Sequence, residues 1–480
     1  MQRNIKKKLR VVLAAPPVDY LTDLYGIKAG KSYRSQPPLG IGYIASALME
    51  NGFDVVLFDC AAQGWDVGES ANRILAADPD VVGVTAITFE APSAYDLIRE
   101  IKRRRDVYIV IGGAHANSYY PRIPSECGEI DAIVVGDGEA TAVEFCKRIS
   151  ESPDVSLEGL PGLITKLANG HYSDLVERPP ELDLDSISPP AYDLFPHRLY
   201  RPLPHRARLL PTSSMITSRG CSYRKCTYCE LSGLVRKTYR RHSPGRVIEE
   251  MKTVKKVTMA KDIYFQDDIF ISDPEWVRDF CEALSRNRLG IVWSCESRFT
   301  GVTPELLKTM KDAGCWRIYY GFESGSQHLL DGIQKGFTLD EARKAARAAN
   351  EAGMEVVGFF MLGLPGETPE DARKTIDFSL ELDLDHAFYT MTVPHPNTKL
   401  YELCKGAGII VSENVYYYKK PSFIPKAYKD GHELVALREL AFRRFYYRPS
   451  YWWKCIKRIH RLPDIVYYFR GFVSLFRYFD

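Results

Sequence analysis

Short apolar runs alternate with amphipathic segments over the first third of the chain. The runs are rich in β-branched residues and almost continuous, as expected for strands buried on both faces of a sheet. They lie at 11–15, 55–58, 81–85, 107–111 and 132–135. Helical spacing occupies 41–51, 91–102 and 139–149. The pattern predicts a doubly wound parallel α/β sheet over residues 10–150, with ligands at the carboxyl ends of its strands.

The same alternation resumes from residue 212 to about residue 400. The predicted strands lie at 214–217, 262–266, 291–295, 317–320, 356–361 and 387–391. The predicted helices lie near 244–257, 274–287, 304–313, 339–352 and 369–382. Six βα units predict a partial (β/α)6 barrel that is open on one side and carries its chemistry at the carboxyl ends of the strands.

Two further regions lack this alternation. Residues 151–211 contain ten prolines and no long period, which predicts a linker. The C-terminal region, 401–480, ends in forty residues with fourteen aromatic side chains, nine Lys or Arg and two Asp. Short helices predicted at 446–454 and 467–477 fit packing over the barrel, which is favoured, or contact with anionic lipid; single-stranded nucleic acid ranks third.

Composition narrows the class of protein. A chain of 480 residues predicts two or three domains, and a formal net charge of +3 does not indicate a nucleic-acid partner. Eleven cysteines at irregular spacing do not resemble a disulfide framework, and neither a secretory signal nor a spanning apolar run is evident. The expected location is therefore a reducing cytoplasm, with peripheral membrane contact through the C-terminal region as an alternative.

Three cysteines lie within nine residues directly after the first predicted barrel strand. They are Cys221, Cys226 and Cys229, in the spacing Cys-x4-Cys-x2-Cys. Thiolates ligate both zinc and iron–sulfur clusters, and structural zinc usually takes four protein ligands. Three close cysteines without an obvious fourth therefore favour a cluster with one open iron, and a zinc knuckle or a chance cluster of buried thiols remains the alternative.

This loop resembles the cluster loop of the radical S-adenosylmethionine superfamily, where the open iron chelates S-adenosylmethionine (SAM). The family spacing is Cys-x3-Cys-x2-Cys, and a loop absorbs one additional residue more easily than a helix or strand does. Later barrel turns also resemble the family's: an acidic motif after the second strand, Arg298 after the third, and a Gly-x-Glu-Ser-Gly turn after the fourth. The resemblance implies SAM binding by Asp267, Asp268, Arg298 and Glu323, with a helix start and a solvated arginine as structural alternatives.

The glycine turns of the first sheet resemble the cobalamin-binding domain that precedes the radical core in one large subclass. The resemblance implies that the cofactor-binding residues are Gly112, Gly113, His115, Gly136, Gly138 and Glu139. The Asp-x-His-x-x-Gly signature is absent from residues 1–150, so cobalamin without a histidine ligand from that motif is implied. Tight βα turns need glycine in any such fold, and a lone histidine is more often structural.

Residues 10–400 are thus similar to cobalamin-dependent radical SAM enzymes. The resemblance implies a 4Fe–4S cluster that cleaves SAM to a 5′-deoxyadenosyl radical, and methylcobalamin that methylates an unactivated carbon of a small-molecule or lipid-like substrate. An electron donor such as a flavodoxin or ferredoxin is an expected partner, and nucleic acid is not. The alternatives are radical cyclisation, ring rearrangement or oxygen insertion and, from another class, a non-catalytic metal or electron-transfer module.

Overall fold

The computed structural model describes residues 9–19, 34–152, 155–202, 206–230, 238–412, 420–457 and 459. The chain divides into two compact units, and the boundary between them follows Pro202.

The first unit is built on one mixed sheet. Its strands are β1 (Arg10–Ala15), β2 (Asp54–Asp59), β3 (Val81–Thr85), β4 (Tyr108–Gly112), β5 (Ala132–Val134) and β6 (Leu163–Thr165). The order is β2-β1-β3-β4-β5-β6, with β1 to β5 parallel and β6 antiparallel. The predicted doubly wound sheet is confirmed, and its order reverses between β1 and β3, where such sheets bind ligands.

Helices connect these strands. They are α1 (Leu39–Glu50), α2 (Cys60–Gln63), α3 (Val67–Ala76), α4 (Ala91–Arg104), α5 (Ala114–Tyr119), α6 (Ile123–Glu126) and α7 (Gly138–Glu151). The core on one face packs strand residues such as Val11 and Leu13 against Ile41 of α1 and Phe145 of α7.

The segment predicted as a linker, 151–211, contributes to this unit. It supplies β6 and three 3-10 turns, Leu184–Ser186, Tyr192–Leu194 and His197–Leu199. Phe195 packs against α1 so closely that a Cβ at Gly42 would lie 2.8 Å from its ring. The first compact unit therefore extends to Pro202 rather than to residue 150, because scattered apolar residues between the prolines join its core.

The second unit is built on a parallel sheet. Its first eight strands are β7 (Thr212–Met215), β8 (Ser218–Arg219), β9 (Arg240–Arg241), β10 (Asp262–Phe265), β11 (Val292–Ser297), β12 (Cys315–Glu323), β13 (Glu355–Leu362) and β14 (His386–Met391). Six of these form a parallel sheet in the order β14-β13-β12-β11-β10-β7, and β8 and β9 form a separate antiparallel ribbon. The predicted partial (β/α)6 barrel is confirmed.

The barrel helices follow their strands in sequence. They are α8 (Pro244–Thr258), α9 (Pro274–Asn287), α10 (Pro304–Asp312), α11 (Gln327–Gly332), α12 (Leu339–Glu351) and α13 (Pro369–Glu381). Side-chain caps at Ser243, Asp273, Thr303, Thr338 and Thr368 fix where most of them begin.

The described C-terminal residues pack on the barrel. They form α14 (Lys399–Ala407), β15 (Gly408–Ile410), β16 (Phe423–Pro425), α15 (Gly431–Tyr446) and α16 (Pro449–Lys457). Tyr446 of α15 donates a hydrogen bond to the carbonyl of Ala387 at 3.0 Å, and Phe442 contacts the ring of Tyr389. These contacts favour the packing alternative; the helix predicted at 467–477 lies outside the described residues.

A membrane span is not found among the described elements, because no helix there combines sufficient length with sufficient apolar character.

Candidate active site

The cysteine loop lies between β8 and β9 and is tied to the barrel. Gly220 has φ +86°, and a Cβ there would lie 2.7 Å from the carbonyl oxygen of Thr238. The amide of Thr227 donates to the carbonyl of Ile333 at 3.0 Å, and its carbonyl accepts from the amide of Leu400 at 2.9 Å. Backbone contacts thus fix both the start and the middle of the loop.

The loop presents three free thiols. Cys226 is buried, whereas Cys221 and Cys229 are partly exposed. In the described part of the chain, no three His, Cys, Asp or Glu side chains are gathered closely enough to hold one metal ion. Three neighbouring thiols are nevertheless the donor type that iron–sulfur clusters require. The donor set fits such a cluster, and the assignment of the individual ligands stays a prediction.

Asp267 anchors the beginning of this loop. Its carboxylate accepts from the amide of Thr217 at 3.0 Å and from Oγ1 of the same residue at 2.8 Å, and also from the hydroxyl of Ser218. Burial raises the pKa of Asp267, opposed by nearby Arg241 and these hydrogen bonds. Its neighbour Asp268 is exposed. The acidic motif therefore divides into Asp267, which faces the loop backbone, and the exposed Asp268, and SAM binding by either residue stays a prediction.

Glu323 lies in a buried ion pair beside the cysteines. Its Oε1 is 2.7 Å from Nζ of Lys335 and accepts from the hydroxyl of Tyr228 at 2.9 Å. Nζ of Lys335 also donates to Tyr228 at 2.7 Å. Burial and the negative charges of Glu323, Cys226 and Cys229 raise the pKa of Tyr228 well above its ordinary value. Tyr228 therefore remains a neutral phenol beside the loop.

The backbone at Glu323 is adapted to this contact. Its φ is +61°, rare for a residue with a side chain, and the β12–β13 register shifts between Gly321 and Glu323. A Cβ at Gly321 would lie 2.5 Å from Oε1 of Glu323. A side chain at Gly321, the first glycine of the Gly-x-Glu-Ser-Gly turn, would therefore displace the carboxylate of Glu323.

Arg298 lies behind the loop and is 9% exposed. Its Nη1 is 3.7 Å from Sγ of Cys226, and its Nη2 donates to the carbonyl of Lys335 at 2.5 Å. Each terminal nitrogen of Arg298 thus has one partner in the protein, and the predicted contact with the SAM carboxylate stays a prediction.

Aromatic rings line the inside of the barrel. Tyr319 stacks on Phe359 with ring centres 6.0 Å apart, and Phe359 stacks on Phe388 at 5.6 Å. Both phenylalanines are partly exposed. Glu296 accepts a hydrogen bond from Tyr264, and burial raises the pKa of Glu296. The barrel interior thus combines aromatic faces with one carboxylate.

The first unit presents backbone at the carboxyl edge of its sheet. Gly113 and Gly136 both have φ +97°; Gly113 is exposed, and Gly112 and Gly136 are partly exposed. A Cβ at Gly113 would lie 2.7 Å from Oγ1 of Thr85. At the same edge the side chain of Ile87 is 46% exposed. Exposed backbone beside an exposed apolar side chain fits a broad, flat group such as cobalamin.

The remaining residues predicted to bind cobalamin have other surroundings. Gly138 allows helix packing, since a Cβ there would lie 2.8 Å from Cδ1 of Ile44, and Glu139 is partly exposed in the first turn of α7. His115 is fully buried, with Nε2 2.8 Å from the hydroxyl of Tyr95 and its ring stacked on Tyr119. These contacts favour the structural alternative for His115.

A buried ion cluster, which the sequence analysis missed, lies near this edge. Nε of Arg34 is 3.1 Å from Oδ1 of Asp59, and its Nη2 is 2.5 Å from Oε1 of Glu90. The hydroxyl of Tyr200 donates to Asp59 at 3.0 Å. Burial raises the pKa of Asp59, and Arg34 opposes that rise. The partners are far apart in sequence, so no local pattern pairs them.

Comparison with known families matches both units. Residues 27–146 match the B12 binding domain, and residues 215–379 match the radical SAM superfamily. A Pyrococcus horikoshii protein named uncharacterized methyltransferase PH0819 is 32% identical over 449 residues, which cover 92% of this chain and 94% of that protein. The anaerobic magnesium-protoporphyrin IX monomethyl ester cyclase of Rubrivivax gelatinosus is 26% identical over 424 residues, covering 86% of this chain and 74% of that protein.

Solved structures share the fold. The radical SAM methyltransferase TsrM of Kitasatospora setae, solved with tryptophan substrate and a SAM analog, has a TM-score of 0.71 at 19% identity over 90% of this chain and 89% of that chain. The cobalamin-dependent radical enzyme OxsB has a TM-score of 0.72 at 15% identity over 98% of this chain and 72% of that chain.

The two domain matches and the similarity along nearly the whole chain lead to one assignment. The protein belongs to the cobalamin-dependent, methyltransferase-like radical SAM enzymes, whose cofactors are a 4Fe–4S cluster, SAM and cobalamin.

Proposed function

We propose that the protein is a methyltransferase that methylates an unactivated carbon of a small molecule. The observation that carries this proposal is the pairing of both domains in a chain whose similarity to a named methyltransferase covers 94% of that relative. When bound, the cofactors supply a hydrogen-abstracting radical and a transferable methyl group. The protein supplies their ligands, their orientation and a site from which water is excluded.

In this proposal, Cys221, Cys226 and Cys229 ligate the cluster. The support is chemical, since the loop offers three neighbouring thiols and is fixed to the barrel turns by the amide and carbonyl of Thr227. The barrel turns hold the loop at the carboxyl edge of the strands, where such folds carry their chemistry.

Binding of SAM is proposed for Glu323 and Asp268, close to this loop. Glu323 retains a second carboxylate oxygen beyond the one that meets Lys335 and Tyr228, and Asp268 is exposed. A carboxylate attracts an ammonium group or accepts from a ribose hydroxyl. Asp267 and Arg298 are proposed to act on the loop itself.

Cobalamin is proposed to lie on the backbone of Gly112, Gly113 and Gly136. Gly112 ends β4, Gly113 follows it and Gly136 follows β5, and all three present at least partly exposed main chain in place of side chains. Gly138 and Glu139 begin the adjoining helix, and they are proposed to shape the cobalamin site.

The substrate is proposed to have an unsaturated or apolar portion. Phe359 and Phe388 offer partly exposed rings inside the barrel, on which a planar group can stack. A flavodoxin or ferredoxin is the proposed electron donor. All eleven cysteines are free thiols, which supports a reducing cytoplasm as the proposed location.

Cyclisation is the second candidate outcome. It is favoured by the 26% identity to the Rubrivivax gelatinosus cyclase over 86% of this chain. Both outcomes use the same cofactors, so products must separate them.

The test measures 5′-deoxyadenosine and S-adenosylhomocysteine by mass spectrometry. The protein is reconstituted anaerobically with iron, sulfide and cobalamin, then reduced and given SAM. The Cys226→Ala variant removes a proposed cluster ligand, and Cys404→Ala removes a buried thiol outside the loop as its matched control.

Methyl transfer predicts both products from the wild type and from Cys404→Ala. Deoxyadenosine is lost in Cys226→Ala, and S-adenosylhomocysteine is lost when cobalamin is omitted. Deoxyadenosine alone, with cobalamin bound, favours the cyclisation candidate. If protein with a full cluster forms neither product, both candidates are contradicted.

A further inference from the structure

The four residues between Cys221 and Cys226 fold so that one of them contacts a turn of the barrel. Arg224 has φ +49° and is exposed together with Lys225. Tyr223 is partly exposed and lies against the barrel, where its hydroxyl donates to the carbonyl of Gln334 at 2.9 Å. Tyr223 thus reaches from the cysteine loop to the turn after α11.

That turn is shaped to receive the tyrosine. Gly336 has φ +71°, and a Cβ there would lie 1.9 Å from the hydroxyl oxygen of Tyr223. Any other residue at Gly336 would displace the ring or the turn.

Arg298 joins the tyrosine, the turn and a cysteine. Its guanidinium carbon lies 3.6 Å from the centre of the Tyr223 ring, and its Nη2 is hydrogen-bonded to the carbonyl of Lys335. Its Nη1 lies 3.7 Å from Sγ of Cys226. A planar guanidinium can stack on a ring and donate from its edge at the same time.

The charge of Arg298 is poorly screened because its side chain is buried. The reduction potential of an iron–sulfur cluster depends on the net charge around it, on hydrogen bonds to its sulfurs and on solvent exposure. A fixed cation beside a ligating sulfur favours the state that holds one more electron.

We propose that Arg298 is a positioning residue that holds the long cysteine loop through Tyr223, and that its guanidinium beside Cys226 makes the cluster easier to reduce by one electron from an external donor. This inference rests on the cluster ligation of the proposed function.

The test is anaerobic potentiometric reduction of the reconstituted full-length protein, followed by the electron paramagnetic resonance signal of the reduced cluster. SAM and substrate are left out, so a change in SAM binding or methyl transfer cannot produce the result. Arg298→Gln removes the charge, and Arg298→Lys retains it. Arg278→Gln, on the exposed face of α9, controls for loss of one surface arginine.

The midpoint potential of Arg298→Gln should be more negative than that of the wild type, whereas Arg298→Lys and Arg278→Gln stay close to it. If Arg298→Gln binds no cluster, the Arg298→Lys variant provides the test. A cluster bound to Arg298→Lys with the wild-type potential supports the proposal. An unchanged potential in Arg298→Gln, or an equal shift in Arg298→Lys, overturns it. Failure of methyl transfer alone leaves these potentials unaffected, so the two proposals fail separately.

Discussion

The carboxyl edges of the two sheets are built in opposite ways. At the barrel edge, the loop carries thiols and charged side chains lie beside it, as the Glu323–Lys335 ion pair does. At the edge of the first sheet, glycines expose the main chain at the surface, and the charged cluster around Arg34 is buried. One edge acts through side-chain chemistry and the other through the shape of its backbone.

This difference has a physical basis. A metal cluster needs covalent ligands and is sensitive to nearby charge, so its site must supply thiolates and fixed ions. A large flat cofactor needs area and close approach, and glycine provides both where a Cβ would intrude. Substitutions at the barrel edge should therefore change iron content, and substitutions at the edge of the first sheet should change cobalamin binding.

The buried cations give the largest expected effects. Arg34→Met removes the cation that pairs with the carboxylates of Asp59 and Glu90, and Lys335→Met removes the cation that pairs with Glu323. Removing one partner of a buried ion pair costs about 3–5 kcal/mol of stability. Calorimetry should show a lower unfolding temperature for each variant. Arg34→Met should weaken cobalamin binding, and Lys335→Met should lower iron content.

A second substitution provides the control for this pair. Lys335→Met combined with Glu323→Gln removes the isolated charge and should recover part of the lost stability. If the double variant is no more stable than Lys335→Met, the ion pair is not the cause.

Asp267→Ala should have the next largest effect. The change leaves the amide and hydroxyl of Thr217 and the hydroxyl of Ser218 without their acceptor, at a cost of about 1–3 kcal/mol for a buried donor. We expect lower iron content after reconstitution, while Asp268→Ala, at the exposed neighbour, retains it. Equal iron content in both variants would show that the loop does not depend on this anchor.

Gly113→Ala tests the first sheet edge. The left-handed backbone and the close contact with Thr85 predict a strain of about 1–3 kcal/mol and weaker cobalamin binding, measured by absorbance. Gly52 has a similar φ of +84°, and a Cβ there would have no neighbour within 4 Å. Gly52→Ala is therefore the control for backbone strain alone, at a position away from this edge. Equal loss of cobalamin in the two variants would argue against a site at Gly113.

The last expected effect concerns pH. Glu367 is buried where it accepts from Tyr428 and from the amide of Gly363, and burial raises its pKa from 4.5 to about 7. The folded state then holds a proton that the unfolded state releases, so stability falls as pH rises between these values, by about 1.4 kcal/mol per pH unit. The slope of unfolding temperature against pH should be shallower in Glu367→Gln, and identical slopes would contradict the assignment.

Sequence alone predicted the repeating elements well. The apolar runs at 81–85 and 356–361 correspond to β3 and β13 because strands buried on both faces leave a continuous apolar signal. It did not predict β6 or the packing of 155–202, where prolines interrupt every period while Leu163 and Phe195 enter the core.

The site was predictable only in part for a related reason. Cysteines are rare, so three within nine residues mark the loop without any knowledge of the fold. The pairing of Glu323 with Lys335 depends on a folded-back carboxylate at φ +61°, which no sequence pattern encodes. The inward direction of Asp267 depends equally on strand ends that meet only in the barrel.

The most direct test of the two-site account is to measure iron and cobalamin in the same reconstituted samples of the wild type and of Cys226→Ala. The account predicts about four iron atoms and about one cobalamin per wild-type chain, and loss of the iron alone in the variant. Full iron content in Cys226→Ala, or no cobalamin bound to the wild type, would contradict it.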